Sequence, residues 1–121
     1  RGVVLSGVSA GAICWFDKGV TDSWASNLNL IDCMGILKGS CCPHYNSEKD
    51  RRPSVHKFIK DKKVPSVYSI EDGAAIHFKD GKPYKNISFT EDAKVFVVKE
   101  KNDLIKENAQ RMYPIKKKYE K

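Results

Sequence analysis

The pentapeptide Gly7-Val8-Ser9-Ala10-Gly11 constrains this chain more than any other stretch. It follows an apolar run over residues 2–6 and opens a segment, Ser9 to Phe16, of small and then large apolar residues that reads as a helix. A short run of this kind, apolar from Gly2 through Leu5, suits a strand buried on both faces of a parallel sheet. A serine placed between such a strand and a helix must occupy a sharp, strained turn, and its neighbours must be small for the backbone to close. The turn lifts the Ser9 hydroxyl at the carboxyl end of the sheet. It also sets the start of the helix beneath it, with the Ala10 N–H able to face a developing oxyanion. At ordinary Gly and Ser frequencies the bare pattern arises by chance in only about a few per cent of chains this long. The plain alternative is a tight structural turn without chemistry.

A serine nucleophile needs a base and an acid that orients it. His56 falls inside a helical pattern with Val55, Phe58 and Ile59 on one face, and His77 alternates with Ile76 and Phe78 in a strand; both read as surface or structural residues. His44 follows Pro43 at the end of a strand over residues 36–42, where open α/β sheets build their sites. It is the leading base. Asp22, Asp32, Glu71 and Asp72 are the candidate acids. Glu71 and Asp72 close a strand, and as neighbours only one of them can face the site; Asp72 before Gly73 also has a simple turn reading.

Elsewhere, residues 17–33 lack periodicity and read as loop. A helix runs from Pro53, well placed in a first turn, to about Lys63. Strands are expected at Val67–Ile70, Ala75–Lys79, Tyr84–Ser88 and Lys94–Lys99, with Asp80-Gly81 as a hairpin turn. Leu104 to Tyr113 reads as a C-terminal helix. The order predicts an α/β fold with a mostly parallel sheet flanked by helices and a C-terminal antiparallel β region.

A length of 121 residues is room for one domain, 1–121, able to bury roughly 60–70% of its unfolded surface. The formal charge is +7, and the last eleven residues hold five bases against Glu120 alone. Residues 103–121 are thus expected to be a basic helical or disordered tail that keeps the chain soluble. No aromatic-interleaved basic stripe is visible, so no nucleic-acid partner is expected. No apolar run approaches the roughly 18–20 residues of a membrane span, and no signal peptide is recognisable. The four cysteines, Cys14, Cys33, Cys41 and Cys42, form no Cys-x-x-Cys pair and read as reduced thiols of a cytoplasmic protein. Cys41, Cys42 and His44 lack a suitably spaced fourth ligand, so neither metal nor cofactor is expected.

Residues 7–16, Val20-Thr21-Asp22-Ser23, Gly39 to Tyr45, Glu48 with Arg51-Arg52-Pro53, and Glu71 to Phe78 together resemble the peptidase E family. These are aspartyl dipeptidase-like serine peptidases related to cyanophycinase. The resemblance runs from Gly2 to about Ser88. It implies a class I glutamine amidotransferase-like fold and a Ser-His-acid triad, with Ser9 as nucleophile, His44 as base and Asp72 as acid. Glu71 is the fallback if the register slips by one, and Asp22 matches a further aspartate considered important in the family. Ala10 would supply an oxyanion N–H. Arg51 or Arg52 looks like the family's arginine for a substrate carboxylate, which a guanidinium grips bidentately.

The implied substrate is a small peptide, a dipeptide with N-terminal aspartate above all. The family's chains carry an N-terminal half with a Gly-Gly-Gly-Asn-type loop for a second oxyanion donor, and this chain resembles only the C-terminal portion. Arg1 reads as a cut edge, and the open sheet edge is expected to be covered by that missing half or by a homo-oligomer. Two other functions fit the same elbow: an α/β-hydrolase-type esterase, whose base usually lies farther along than 35 positions, and a truncated, inactive homologue serving as an interaction module.

Overall fold

A computed structural model describes residues 3–21 and 28–115 of the chain. In chain order the elements are α1 (Ala10–Ile13), β1 (Phe16–Thr21), β2 (Asn29–Asp32), β3 (Leu37–Cys42), α2 (Arg51–Lys60), β4 (Ser66–Ile70), β5 (Ala74–Lys79), β6 (Lys82–Ser88), β7 (Val95–Lys101), β8 (Leu104–Ala109) and β9 (Met112–Pro114). Six strands form one sheet in the order β2-β1-β3-β4-β7-β8, and β5-β6-β9 form a second. β3 runs parallel to both β1 and β4, while β2, β7 and β8 join antiparallel.

Alternation along the central strands sorts the core into two layers. Cys42 and Val67 point to one face and pack with Val20, Tyr45, Val55, Ile59, Val64 and Val98 beneath α2. Cys41 and Tyr68 point to the other, with Ile13 of α1, Phe16 and Phe78. There Phe16, Tyr68 and Phe78 form a mutual aromatic trio, their centroids 5.6–5.8 Å apart. Phe78 thereby fastens the small sheet onto the large one. Gly19 lets α1 settle on β1, since a Cβ there would lie 2.7 Å from the Ile13 side chain.

Helix α2 buries Val55 and Ile59, four residues apart, against the sheet. Its end is a Schellman motif: Lys62 is left-handed (φ 61°), its N–H reaches the Ile59 carbonyl, and the Lys63 N–H reaches Phe58. Pro65 follows, so the chain turns directly into β4.

The fold is α/β, but the large sheet is mixed rather than mostly parallel. Short connections such as Asn102-Asp103, both at positive φ, can join only antiparallel neighbours, whereas the β3–β4 crossover carries a helix. Four local expectations also change. Residues 3–7 form no strand and leave Val3, Val4 and Leu5 exposed, because no neighbour among the described residues hydrogen-bonds to them as a ladder. The helix after Ser9 is a single turn, because Phe16 already pairs with Leu37 as β1. Residues 104–114 are strands β8 and β9, not a helix, since β8 completes a ladder on β7 from Phe96↔Ala109 to Lys101↔Leu104. The stretch read as loop over 17–33 contains most of β1 and all of β2. Asp22 and the lysines at 116–118 lie outside the described residues. Among those described, no helix is long and apolar enough to cross a membrane.

Candidate active site

Three chain reversals meet at the carboxyl ends of β3 and β4. The first is the elbow at Ser9, held at φ 56° and ψ −118°, outside the main allowed regions for a residue with a side chain. The surrounding backbone enforces it. Gly11 N–H bonds to the Val8 carbonyl at 2.9 Å, and the Ala12 and Ile13 N–H groups both reach the Ser9 carbonyl. Gly7 passes so close beneath that a Cβ there would sit 1.9 Å from the Gly11 carbonyl oxygen. Ala10, as first residue of α1, has no carbonyl one turn earlier for its N–H to bond within the helix.

The second reversal is at His44, also left-handed (φ 57°), just beyond β3 and Pro43. The third is at Glu71-Asp72-Gly73, beyond β4. Gly73 sits at φ 86° with Thr90 so near that a Cβ would meet it at 2.7 Å. β3 and β4 are in parallel register with Cys42 opposite Ser69, so the two strands deliver His44 and Asp72 side by side.

Ser9 Oγ lies 2.8 Å from His44 Nε2, and His44 Nδ1 lies 2.8 Å from Asp72 Oδ1. The structure therefore brings together three of the residues singled out from the sequence. Glu71 does not compete for the imidazole: its Oε1 accepts the Lys94 N–H at 2.9 Å. Asp32 is paired with Lys18 on the edge hairpin. His56 and His77 are elsewhere, His56 on Glu107 and His77 edge-on to Tyr84.

Two residues that the sequence reading passed over complete the site. Asn46 Oδ1 accepts the Asp72 N–H at 2.9 Å, and the Ser47 side chain hydrogen-bonds the Asp72 carboxylate. The Ser47 bond is the foremost cause holding Asp72 below the usual carboxylate range; partial burial opposes it, and His44 and the Arg51 charge reinforce it. The available signal was local. Asn and Ser two and three residues past His44 are the residue types whose side chains bond nearby backbone in turns.

The two candidate arginines are both engaged within the fold. Arg51 is buried (5% exposed), bonding Glu48 through Nε and Nη2 at 2.8 Å each and the Val20 carbonyl through Nη1 at 2.7 Å. Arg52 pairs with Glu107 at 3.2 Å and lies over the Tyr45 ring, 4.8 Å from its centroid. An open recess of about 320 Å³ is lined by Tyr45, Asn46, Lys49, Arg52 and Glu71. A larger groove, about 1090 Å³, runs along α2 past Glu48, Pro53 and Phe58 and includes none of the three site residues.

Cys41 and Cys42 are fully buried on opposite faces of β3, and burial pushes the Cys42 thiol up to about 12. Neither is a thiolate, the form that binds metal. Among the described residues no three His, Cys, Asp or Glu side chains converge as a metal site.

The strained turn at Ser9 and the hydrogen-bonded run through His44 to Asp72 stand at the carboxyl ends of the parallel strands β3 and β4. The chain belongs to peptidase family S51, whose family model matches residues 1–85. It is similar to the uncharacterized peptidase YgaJ of Bacillus subtilis (strain 168), 49% identical over 98 residues that make up 81% of this chain and 42% of that protein. The chain thus spans less than half the length of that curated relative. Family S51 agrees with the peptidase E-like resemblance carried by the sequence motifs.

Proposed function

We propose that this chain carries the nucleophile, base and acid of a serine peptidase that cleaves short peptides, with Asp-initial dipeptides as the first substrate class. The observation that carries the reading is the unbroken run of two 2.8 Å contacts from Ser9 through His44 to Asp72.

The chemistry follows from which atoms can donate. Asp72, held ionised, can only accept, so His44 Nδ1 bears the proton and Nε2 is left to accept from the Ser9 hydroxyl. As Ser9 Oγ attacks the peptide carbonyl, its proton passes to Nε2 and Asp72 stabilises the imidazolium. The Ala10 N–H donates to the oxyanion. The imidazolium then protonates the departing amine, and the C–N bond breaks to leave an acyl-Ser9 ester. Water, deprotonated by His44, releases the acid and restores Ser9.

The substrate class rests on the family likeness. Arg51 and Arg52 are spoken for by Glu48, the Val20 carbonyl and Glu107, so a carboxylate-binding role requires Arg52, the more exposed of the two, to exchange its partner. The surrounding fold we propose is the class I glutamine amidotransferase-like arrangement, of which the parallel β1-β3-β4 unit is the part that holds the site, and the setting is cytoplasmic.

The test is release of aspartate from Asp-initial dipeptides, with Ser9→Ala beside the parent. Release that disappears in Ser9→Ala supports the reading. Release that persists in Ser9→Ala overturns the role of Ser9, and cleavage confined to simple aliphatic esters overturns the peptidase reading.

A further inference from the structure

Glu107 stands far from the site in sequence, on β8, beyond the residues that the family model matches. One of its oxygens, Oε2, takes three partners: the Tyr45 hydroxyl, His56 Nε2 at 2.7 Å and Arg52 Nε at 3.2 Å. Arg52 and His56 are four residues apart on α2, so they share a face of that helix. A single carboxylate thus ties an edge strand to the helix and to the residue that follows His44. Burial works to raise this carboxyl, but the bonds from Tyr45 and His56 and the Arg52 charge outweigh it and hold Glu107 below its usual range. The hub is anionic.

Tyr45 is the link to the site. Its side chain is fully buried, its ring is tilted against Phe96 at 5.9 Å, and Arg52 covers the face. Its N–H bonds to the Ile70 carbonyl at 3.0 Å, two residues before Asp72. Tyr45 is therefore pinned at both ends, by β4 through its backbone and by Glu107 through its hydroxyl. His44 immediately precedes it in a left-handed conformation, one that persists only where the surroundings over-determine it.

Resting on the peptidase reading above, we propose that Glu107 is a positioning residue for His44, acting through the Tyr45 hydroxyl to hold the imidazole between Ser9 and Asp72. The hydroxyl bond fixes how deep the Tyr45 ring sits, and the ring fixes the peptide plane between His44 and Tyr45. A base displaced by about 1 Å can lose on the order of 10²-fold in rate.

The experiment uses the 121-residue chain with two conservative variants, Tyr45→Phe, which keeps the ring, and Glu107→Gln, which keeps the shape. The first readout is the second-order rate of Ser9 labelling by a fluorophosphonate, with Ser9→Ala as control. The second is the downfield NMR signal of the His44 Nδ1 proton, which needs no turnover. Each variant is expected to slow labelling about 10–100-fold and to shift or broaden that signal. The double variant is expected to be no slower than the slower single, as for two residues acting through one bond. If both variants label at the parent rate and leave the His44 signal unmoved, Glu107 only braces the fold and the proposal is overturned. A parent chain that does not label at all counts against a self-sufficient site within these 121 residues; the His44 signal then still decides the role of Glu107. Should Glu107→Gln fail to fold, Tyr45→Phe carries the comparison alone.

Discussion

A Cβ on Gly7 would lie 1.9 Å from the carbonyl oxygen of Gly11, whereas a Cβ on Gly11 would meet nothing within 4 Å. The two glycines that bracket Ser9 therefore have unequal tasks. Gly7 makes room for the crossing backbone, and Gly11 is a member of α1 without steric need of its own. Gly7→Ala should displace the elbow and destabilise the protein by about 1–3 kcal/mol. Gly11→Ala should be neutral or stabilising by up to about 1 kcal/mol, as for alanine in a helix. Urea titration of the two variants separates them, and equal losses would contradict the asymmetry.

The Asp72 carboxyl has its own acid signature. Its folded value lies below the ordinary one near 3.9. Its stabilising contribution is thus fully present above about pH 4 and is lost as the pH falls through the lowered folded value. Asp72→Asn should flatten this limb of the stability profile. Ser47→Ala should move the Asp72 midpoint upward in a carbon-detected NMR titration. In turnover, Asp72→Asn should cost on the order of 10³–10⁴-fold, the scale for an imidazole held in the wrong tautomer.

Arg51 and Arg52 are neighbours with opposite fates, buried and exposed. Truncating Arg51 strands the Val20 carbonyl and the Glu48 carboxylate. Arg51→Lys should still destabilise by about 1–3 kcal/mol, since an ammonium cannot reproduce the three-nitrogen fork that serves both acceptors. Arg52→Lys should fall within about 1 kcal/mol of the parent. Chemical denaturation measures both, and a harmless Arg51→Lys would mean that the fork is dispensable.

Thiol reactivity should divide the four cysteines. Cys41 and Cys42 are sealed at 0% exposure with their thiols raised by burial, while Cys14 and Cys33 are partly open. Under native conditions a maleimide should modify Cys14 and Cys33 first, and Cys41 and Cys42 only on unfolding. Peptide mapping after brief labelling reads this out directly.

The elements legible in the sequence were those whose signal is local. Asp80-Gly81 between two alternating runs specified its hairpin, and Val55 and Ile59 specified the buried stripe of α2. The elbow announced itself through small residues around Ser9. What stayed hidden was decided by partners far along the chain. Leu104 to Ala109 has the composition of a helix, yet the ladder on β7 overrides that preference. β1 was obscured by Asp17, Lys18 and Gly19, polar or small positions whose fit depends on Asp32, Gly39 and Ile13. At the site, Ser9, His44 and Asp72 could be named from sequence, but choosing between Asp72 and Glu71 required knowing that Lys94 occupies Glu71. Glu107, 62 residues from Tyr45, offered no local pattern at all.

His44 and Asp72 stand at the ends of adjacent parallel strands, so their separation is inherited from the interstrand spacing of the sheet, about 4.8 Å. The two residues are 28 positions apart and the intervening chain includes the whole of α2, yet the outer part of that excursion does not set the distance. A lineage can lengthen, shorten or recharge the outer turns of this crossover while the imidazole and carboxylate stay in register. Only those outer turns are free to diversify, because the ruler lies in the sheet.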